Sequence, residues 1–206
     1  RKLPIDKIFI KNFNSEYEII RAPKEARFIG KDLSFSHQGD DTGFAVIHKE
    51  YSREKRSIIY VCDFCLVIGA GENKINMDAV SEFDIDLANL GHMSILGISL
   101  DTFQSESTVQ KLERWKFNVE NNSMDRTPEA YEMFGSIILQ GLFKAGEHKY
   151  LWNNLNSLYR EEKSNGRIKI DHSKSSTPLE GKDAKDVSDA VCQAIWIASQ
   201  SRSYPS

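Results

Sequence analysis

Four aspartates stand where an acidic side chain has little structural reason to be. Asp32 closes the strand-like run Ala26-Arg27-Phe28-Ile29-Gly30-Lys31, and Asp101 closes Ile95-Leu96-Gly97-Ile98-Ser99-Leu100. Asp186 and Asp189 open the helical stretch Lys185-Asp186-Val187-Ser188-Asp189-Ala190-Val191. A carboxylate on a half-buried strand costs free energy unless it is paired, hydrogen-bonded or bound to a cation. Such strands together with a helix start, far apart in sequence, suggest convergence on divalent cations, which prefer carboxylate oxygens to His or Cys. Two such ions activate a water and stabilise a leaving oxygen, so the chemistry indicated is hydrolysis of a phosphodiester. Asp186 and Asp189 lie three apart and share a helical face. Acids in a first turn also complement the helix dipole, a purely structural reason for the same pair.

The elements that must position these side chains can be read from periodicity. Residues 1–25 mix apolar stretches with charge and read as a leading segment or linker; 26–200 read as one domain and 201–206 as a tail. A first strand over 27–34 is followed by the turn His37-Gln38-Gly39-Asp40-Asp41-Thr42-Gly43, a second strand over Phe44–His48 and a third over Ile58–Ile68. The third is apolar on both faces and is expected to be central. Asn76 caps a helix with Val80, Phe83, Leu87 and Leu90 inward, ended by Gly91. Met93–Leu100 is a fourth strand, and a helix with Val109, Leu112 and Trp115 leads to a short fifth over 116–119. Thr127-Pro128-Glu129 starts a helix that turns Tyr131, Phe134, Ile138 and Leu142 inward. A helix over 151–162, a strand at 168–170, a polar loop at 171–183 and a last helix over 183–199 complete the chain. The expected fold is α/β: a mixed sheet of about five strands, the first three antiparallel, flanked by helices.

Bulk properties narrow the class. The 206 residues suffice for a proper core, and no apolar run approaches a membrane span. A net charge of −3 argues against a broad basic nucleic-acid platform, although Lys24, Arg27 and Lys31, then Arg53, Lys55 and Arg56, and then Arg160, Lys163, Arg167 and Lys169, cluster locally. Three cysteines fit a reducing compartment. Cys62-Asp63-Phe64-Cys65 has CxxC spacing, but positions three apart on a strand face opposite ways, so these read as core cysteines. Trp115, Trp152 and Trp196 read as packing residues. His172 and Lys185 are possible neighbours of the acids.

Local motifs carry a resemblance. Phe28-Ile29-Gly30-Lys31-Asp32-Leu33-Ser34-Phe35-Ser36 with Gly39-Asp40-Asp41-Thr42-Gly43-Phe44-Ala45-Val46 resembles the first nuclease motif of phage large terminase subunits. Asp101-Thr102-Phe103-Gln104-Ser105 looks like their second, and Thr127-Pro128-Glu129-Ala130-Tyr131, Ile170-Asp171-His172 and Lys185–Ala190 look like the rest. The resemblance covers about 26–198 and implies a ribonuclease-H-like nuclease domain of a DNA-packaging motor, which cuts concatemeric viral DNA. It implies double-stranded DNA as substrate. The implied partners are the terminase ATPase domain, the small terminase subunit and the portal, and the implied setting is the host cytoplasm.

In that frame the metal ligands and catalytic residues are Asp32, bridging two Mg2+ or Mn2+ ions, Asp101 on one of them, and Asp186 and Asp189 on the other. The sequence departs from the pattern at Lys31, where the family usually has an aliphatic residue. No GxxxxGK[ST] loop occurs, so the ATPase is not expected in these residues. A RuvC-like junction resolvase shares the fold and the late Asp-x-x-Asp-Ala pattern, and a silent docking module is the alternative outside the enzymes.

Overall fold

The computed structural model describes residues 10–11, 17–18, 25–33, 41–69, 75–89, 91–101, 106–124, 128–164, 166, 168–172 and 185–202. The expected turn at 37–40, residues 102–105, Thr127 and most of the loop before the last helix, including Asp183, lie outside the described residues. Within the expected leading segment, Ile10–Lys11 (β1) and Tyr17–Glu18 (β2) pair antiparallel.

The main sheet grows from three antiparallel strands, Ala26–Asp32 (β3), Thr42–Ser52 (β4) and Ser57–Ile68 (β5), as the hairpin reading requires. Crossovers then add parallel strands. Helix Met77–Asn89 (α1) leads to Ser94–Leu100 (β6), which pairs parallel to β3; helix Glu106–Arg114 (α2) leads to Val119–Asn121 (β7), parallel to β6. After helix Pro128–Leu139 (α3), Phe143–Ala145 (β8) pairs parallel to β5. The order is β7-β6-β3-β4-β5-β8, the expected mixed sheet with one strand added to the five read from the sequence. The added strand, β8, is three residues long, too short to show the alternation that marks a strand. β3 and β4 hold the centre, and β5 lies one strand from the edge. Its two apolar faces reflect helices on both sides of the sheet, a layer effect that does not report strand position.

Alternation along β4 divides the core. Ala45 and Ile47 face one side with α3, helix Lys149–Ser157 (α4) and helix Asp186–Gln200 (α5). Phe44 and Val46 face the other with α1 and α2. Asn76 caps α1 as read, accepting from Ala79 N at 3.2 Å, and Val80, Phe83 and Leu87 are buried.

Four local expectations are corrected. The helix expected over 151–162 stops at Ser157, because Leu158 turns extended (φ −68, ψ 139) and begins Leu158–Glu162 (β9). β9 forms an antiparallel hairpin with Ile168–His172 (β10). The fifth strand begins at Val119, since Lys116 takes a left-handed φ of 64 that no strand accommodates. In α3 the inward residue is Ile137, while Ile138 is 37% exposed. Trp115 and Trp152 are 54% and 39% exposed, so of the tryptophans only Trp196 packs against the core as expected.

The CxxC reading fails for a specific reason. β5 carries a bulge: Val46 pairs with Phe64 and Ile47 with Cys62, leaving Asp63 as the extra residue. The insertion returns Cys62 and Cys65 to one face, in the same core cluster. A hydrogen bond with Cys62 draws the Cys65 thiol down, burial opposes it and the His148 ring assists, leaving it at about 6. The expected core burial of both residues stands.

The bulge also explains Asp63, which had no reading in the sequence. Its carboxylate lies buried between Arg27 Nε at 3.0 Å and His48 Nδ1 at 2.9 Å. His48 Nε2 continues the chain to Glu50 Oε1 at 3.1 Å.

Candidate metal centre

The acids converge through strand register and two close backbone approaches. β3 and β6 run parallel, with Lys31 opposite Leu100, so Asp32 and Asp101 leave the sheet side by side at the same end. The Asp101 amide is 3.3 Å from the Lys31 carbonyl, continuing the ladder by one step. Asp32 pairs with Gly43 of β4, and Gly30 pairs with Ala45.

Over this corner lies α5. A Cβ on Gly43 would stand 1.9 Å from the Asp186 carbonyl oxygen, and one on Gly30 would stand 2.0 Å from that of Ala190. Only glycine lets a helix lie so close to a sheet. The first turn of α5, which carries Asp186 and Asp189, therefore sits against the strand pair that carries Asp32. At the far end of the helix, Lys49 Nζ donates to the Ser201 carbonyl at 2.9 Å and fixes the C-terminus.

Electrostatics register the crowding. Burial, followed by the charges of Asp189, Asp186 and Asp101, pushes the Asp32 carboxyl well above the usual carboxylate range, with only Lys185 acting in the other direction. The charges of the other three sequence-predicted carboxylates thus all act on Asp32. Ser123 Oγ donates to Asp101 Oδ2 at 3.2 Å. Asp189, buried, receives Lys185 Nζ on Oδ2 at 3.0 Å and the Tyr131 hydroxyl on Oδ1. Burial and then the Asp189 charge push the Tyr131 phenol well above its ordinary value, so that oxygen keeps its hydrogen.

Among the described residues, no three Asp, Glu, His or Cys side chains stand together as a group that could hold a metal ion as they are placed. The chemistry of the donor set nevertheless suits a hard divalent cation: it is built of carboxylates, its central member is raised by burial and then by its neighbours' charge, and one ammonium is the counter-charge. Lys185, read as a possible neighbour, is part of the group. His172 instead ends β10, its Nδ1 3.3 Å from Asp171 Oδ1. Asp41, read as a turn residue, is buried immediately before β4. Tyr131 and Ser123 were not recognised as part of the site. Tyr131 reads in sequence as one more apolar position of α3, and a lone serine in a loop gives no signal.

No family model matches the chain, and no curated protein matches it. Solved structures do. The large terminase nuclease from thermophilic phage G20c superimposes with a TM-score of 0.62 at 15% identity, over 87% of this chain and 86% of that one. The Thermus phage P74-26 large terminase nuclease domain gives 0.59 at 15% identity, over 86% and 82%. The chain has the fold of a large terminase nuclease domain. The large terminase of bacteriophage HK97 gives 0.60 at 13% identity, with 84% of this chain covering 40% of that longer one. The G20c terminase nuclease has also been solved with bound magnesium and with bound cobalt. At these identities the shared property is the terminase nuclease fold, the ribonuclease-H-like mixed sheet expected from the sequence.

Proposed function

We propose that this chain is a metal-dependent DNA endonuclease of the terminase type, cutting concatemeric viral DNA during genome packaging. The observation that carries the reading is the crowding of Asp32 by Asp101, Asp186 and Asp189 at the open end of two parallel strands. Perturbed carboxyls cluster at functional sites, and here burial first and the charge of three neighbouring acids second raise the one at the centre.

Asp32, the group on which the other three acids' charges act, would hold both of two Mg2+ or Mn2+ ions, Asp101 one of them, and Asp186 and Asp189 the other. When bound, such ions supply an activated water and neutralise charge on the leaving 3′ oxygen. The chain's own groups set the stage: Ser123 orients Asp101, Lys185 offsets the charge of Asp189, and Gly30 and Gly43 keep the helix acids within reach of Asp32. The magnesium and cobalt complexes of the G20c nuclease support the cation class.

The substrate is double-stranded DNA, and the ATPase domain, the small terminase subunit and the portal are the partners in the host cytoplasm. No helix among the described residues is long and apolar enough to cross a membrane.

The test is digestion of a supercoiled plasmid with Mn2+, Mg2+ or EDTA. Cutting with either metal and none in EDTA is expected; undiminished cutting in EDTA overturns the reading. A branched junction cut in strong preference to duplex would assign the chain to the resolvases instead.

A further inference from the structure

The Tyr131 hydroxyl reaches Asp189 from α3, an element that contributes no carboxylate to the cluster. The tyrosine is buried in the core shared by α3 and α5, and its oxygen also lies 3.2 Å from Ser188 Oγ. Ser188 Oγ in turn donates to the Lys185 carbonyl at 2.8 Å, which leaves the serine oxygen to accept from the phenol or share its hydrogen. Asp189 therefore has one oxygen, Oδ1, fixed from the core side and the other, Oδ2, 3.0 Å from the Lys185 ammonium.

A carboxylate that is free to rotate presents either oxygen, or both, to a cation, and loses entropy on settling. One held by a donor on its inner oxygen presents only the outer one. Outer hydrogen bonds of this kind orient metal ligands and raise their affinity, and their loss typically weakens metal binding by about 10–100-fold.

We propose that Tyr131 is a positioning residue for the metal centre, holding Asp189 Oδ1 so that Oδ2 alone is offered to a divalent cation, at the place where Lys185 now sits. This rests on the reading of Asp189 as a ligand, and it adds a role for a side chain that touches neither metal nor DNA. Loading a cation then requires the Lys185 ammonium to leave Oδ2, while the hydrogen bond from Tyr131 stays in place.

The experiment is a double-mutant cycle read by Mn2+ binding to the metal-free chain, using calorimetry or the electron paramagnetic resonance signal of free Mn2+. Tyr131→Phe keeps the ring in its packed position and removes the hydroxyl. Its Mn2+ affinity is expected to fall about 10-fold or more, with the circular dichroism spectrum unchanged. Asp189→Asn is expected to weaken binding on its own. In the Asp189→Asn background, Tyr131→Phe should then have no further effect, because its route to the metal is gone.

Unchanged Mn2+ affinity in Tyr131→Phe overturns the proposal, as does an equal loss in both backgrounds. A loss that only tracks the unfolded fraction of the same samples overturns it too. If Asp189→Asn binds Mn2+ like the parent chain, the assignment of Asp189 as a ligand fails, which is a distinct result.

Discussion

The Lys31 ammonium is ion-paired with the Asp84 carboxylate, both side chains without solvent exposure, one residue before Asp32 on β3. Lys31 points to the α1 face, with Nζ 5.5 Å from the Phe44 ring centre, while Asp32 points to the α5 face. Replacing one partner leaves the other charge buried alone, so Lys31→Met or Asp84→Asn should each lose about 3–5 kcal/mol. The double replacement Lys31→Met with Asp84→Leu should recover most of that loss or exceed the parent. Urea unfolding midpoints of the four proteins check this; additive losses in the double variant would refute it.

Asp32→Asn should abolish cleavage and stabilise the metal-free protein. The Asp32 carboxyl is raised in the folded state, by burial first and its acidic neighbours second. Stability from such a group is full below its unfolded value, near 4, and is lost as pH rises through the higher folded value. Asparagine cannot ionise and avoids the loss. At pH 7 without metal, the melting midpoint should rise by about 2–4 °C, and the excess should vanish toward pH 4.

Gly30→Ala and Gly43→Ala should each impair stability and cleavage together. The added carbon meets helix backbone at 2.0 Å and 1.9 Å, which no side-chain rotation relieves. Displacing α5 costs about 1–3 kcal/mol as overpacking and moves Asp186 and Asp189 away from Asp32. Gly135→Ala in α3 is the control: a Cβ there meets nothing within 4 Å, and a gain of about 1 kcal/mol in helix stability is expected. Thermal melts and plasmid nicking on the three variants decide it.

His48 should give the protein a pH-dependent loss of stability above neutrality. Burial disfavours the charged ring, but the hydrogen bond and charge of Asp63, with help from Glu50, outweigh it and raise the folded value above 6.5. The contribution is complete below the unfolded value of about 6.5 and fades as pH rises through the raised one. Urea midpoints should fall between pH 6 and pH 8.5 in the parent chain, with a smaller fall in His48→Gln. Equal slopes would remove His48 as the cause.

The architecture was legible because it is written in strong local signals. The β3–β4–β5 hairpins, α1 with its Asn76 cap, and the Asp101-bearing strand all carry clear alternation or helical spacing. The grouping of the four carboxylates was legible for a related reason, since acids at strand ends stand out against apolar runs. What escaped depends on neighbours distant in sequence. A bulge at Asp63 reversed the facing of Cys62 and Cys65, and no single-strand pattern reports a bulge. Tyr131 reads as apolar until Asp189 arrives beside its hydroxyl. Lys31 reads as a misplaced charge until Asp84 is brought against it from α1.

The close seat of α5 on Gly30 and Gly43 also sets an order of events during synthesis. Asp32 and Asp101 leave the ribosome long before Asp186 and Asp189, which belong to the last helix of the described chain. Until that helix emerges and lies down across the strands, a growing polypeptide holds half a cluster. Contacts between such distant segments form late, after the local hairpins. On the proposed function, a nascent or prematurely ended chain would lack the complete cluster and be harmless to nucleic acid nearby, and cutting competence would arrive with the docking of a single helix.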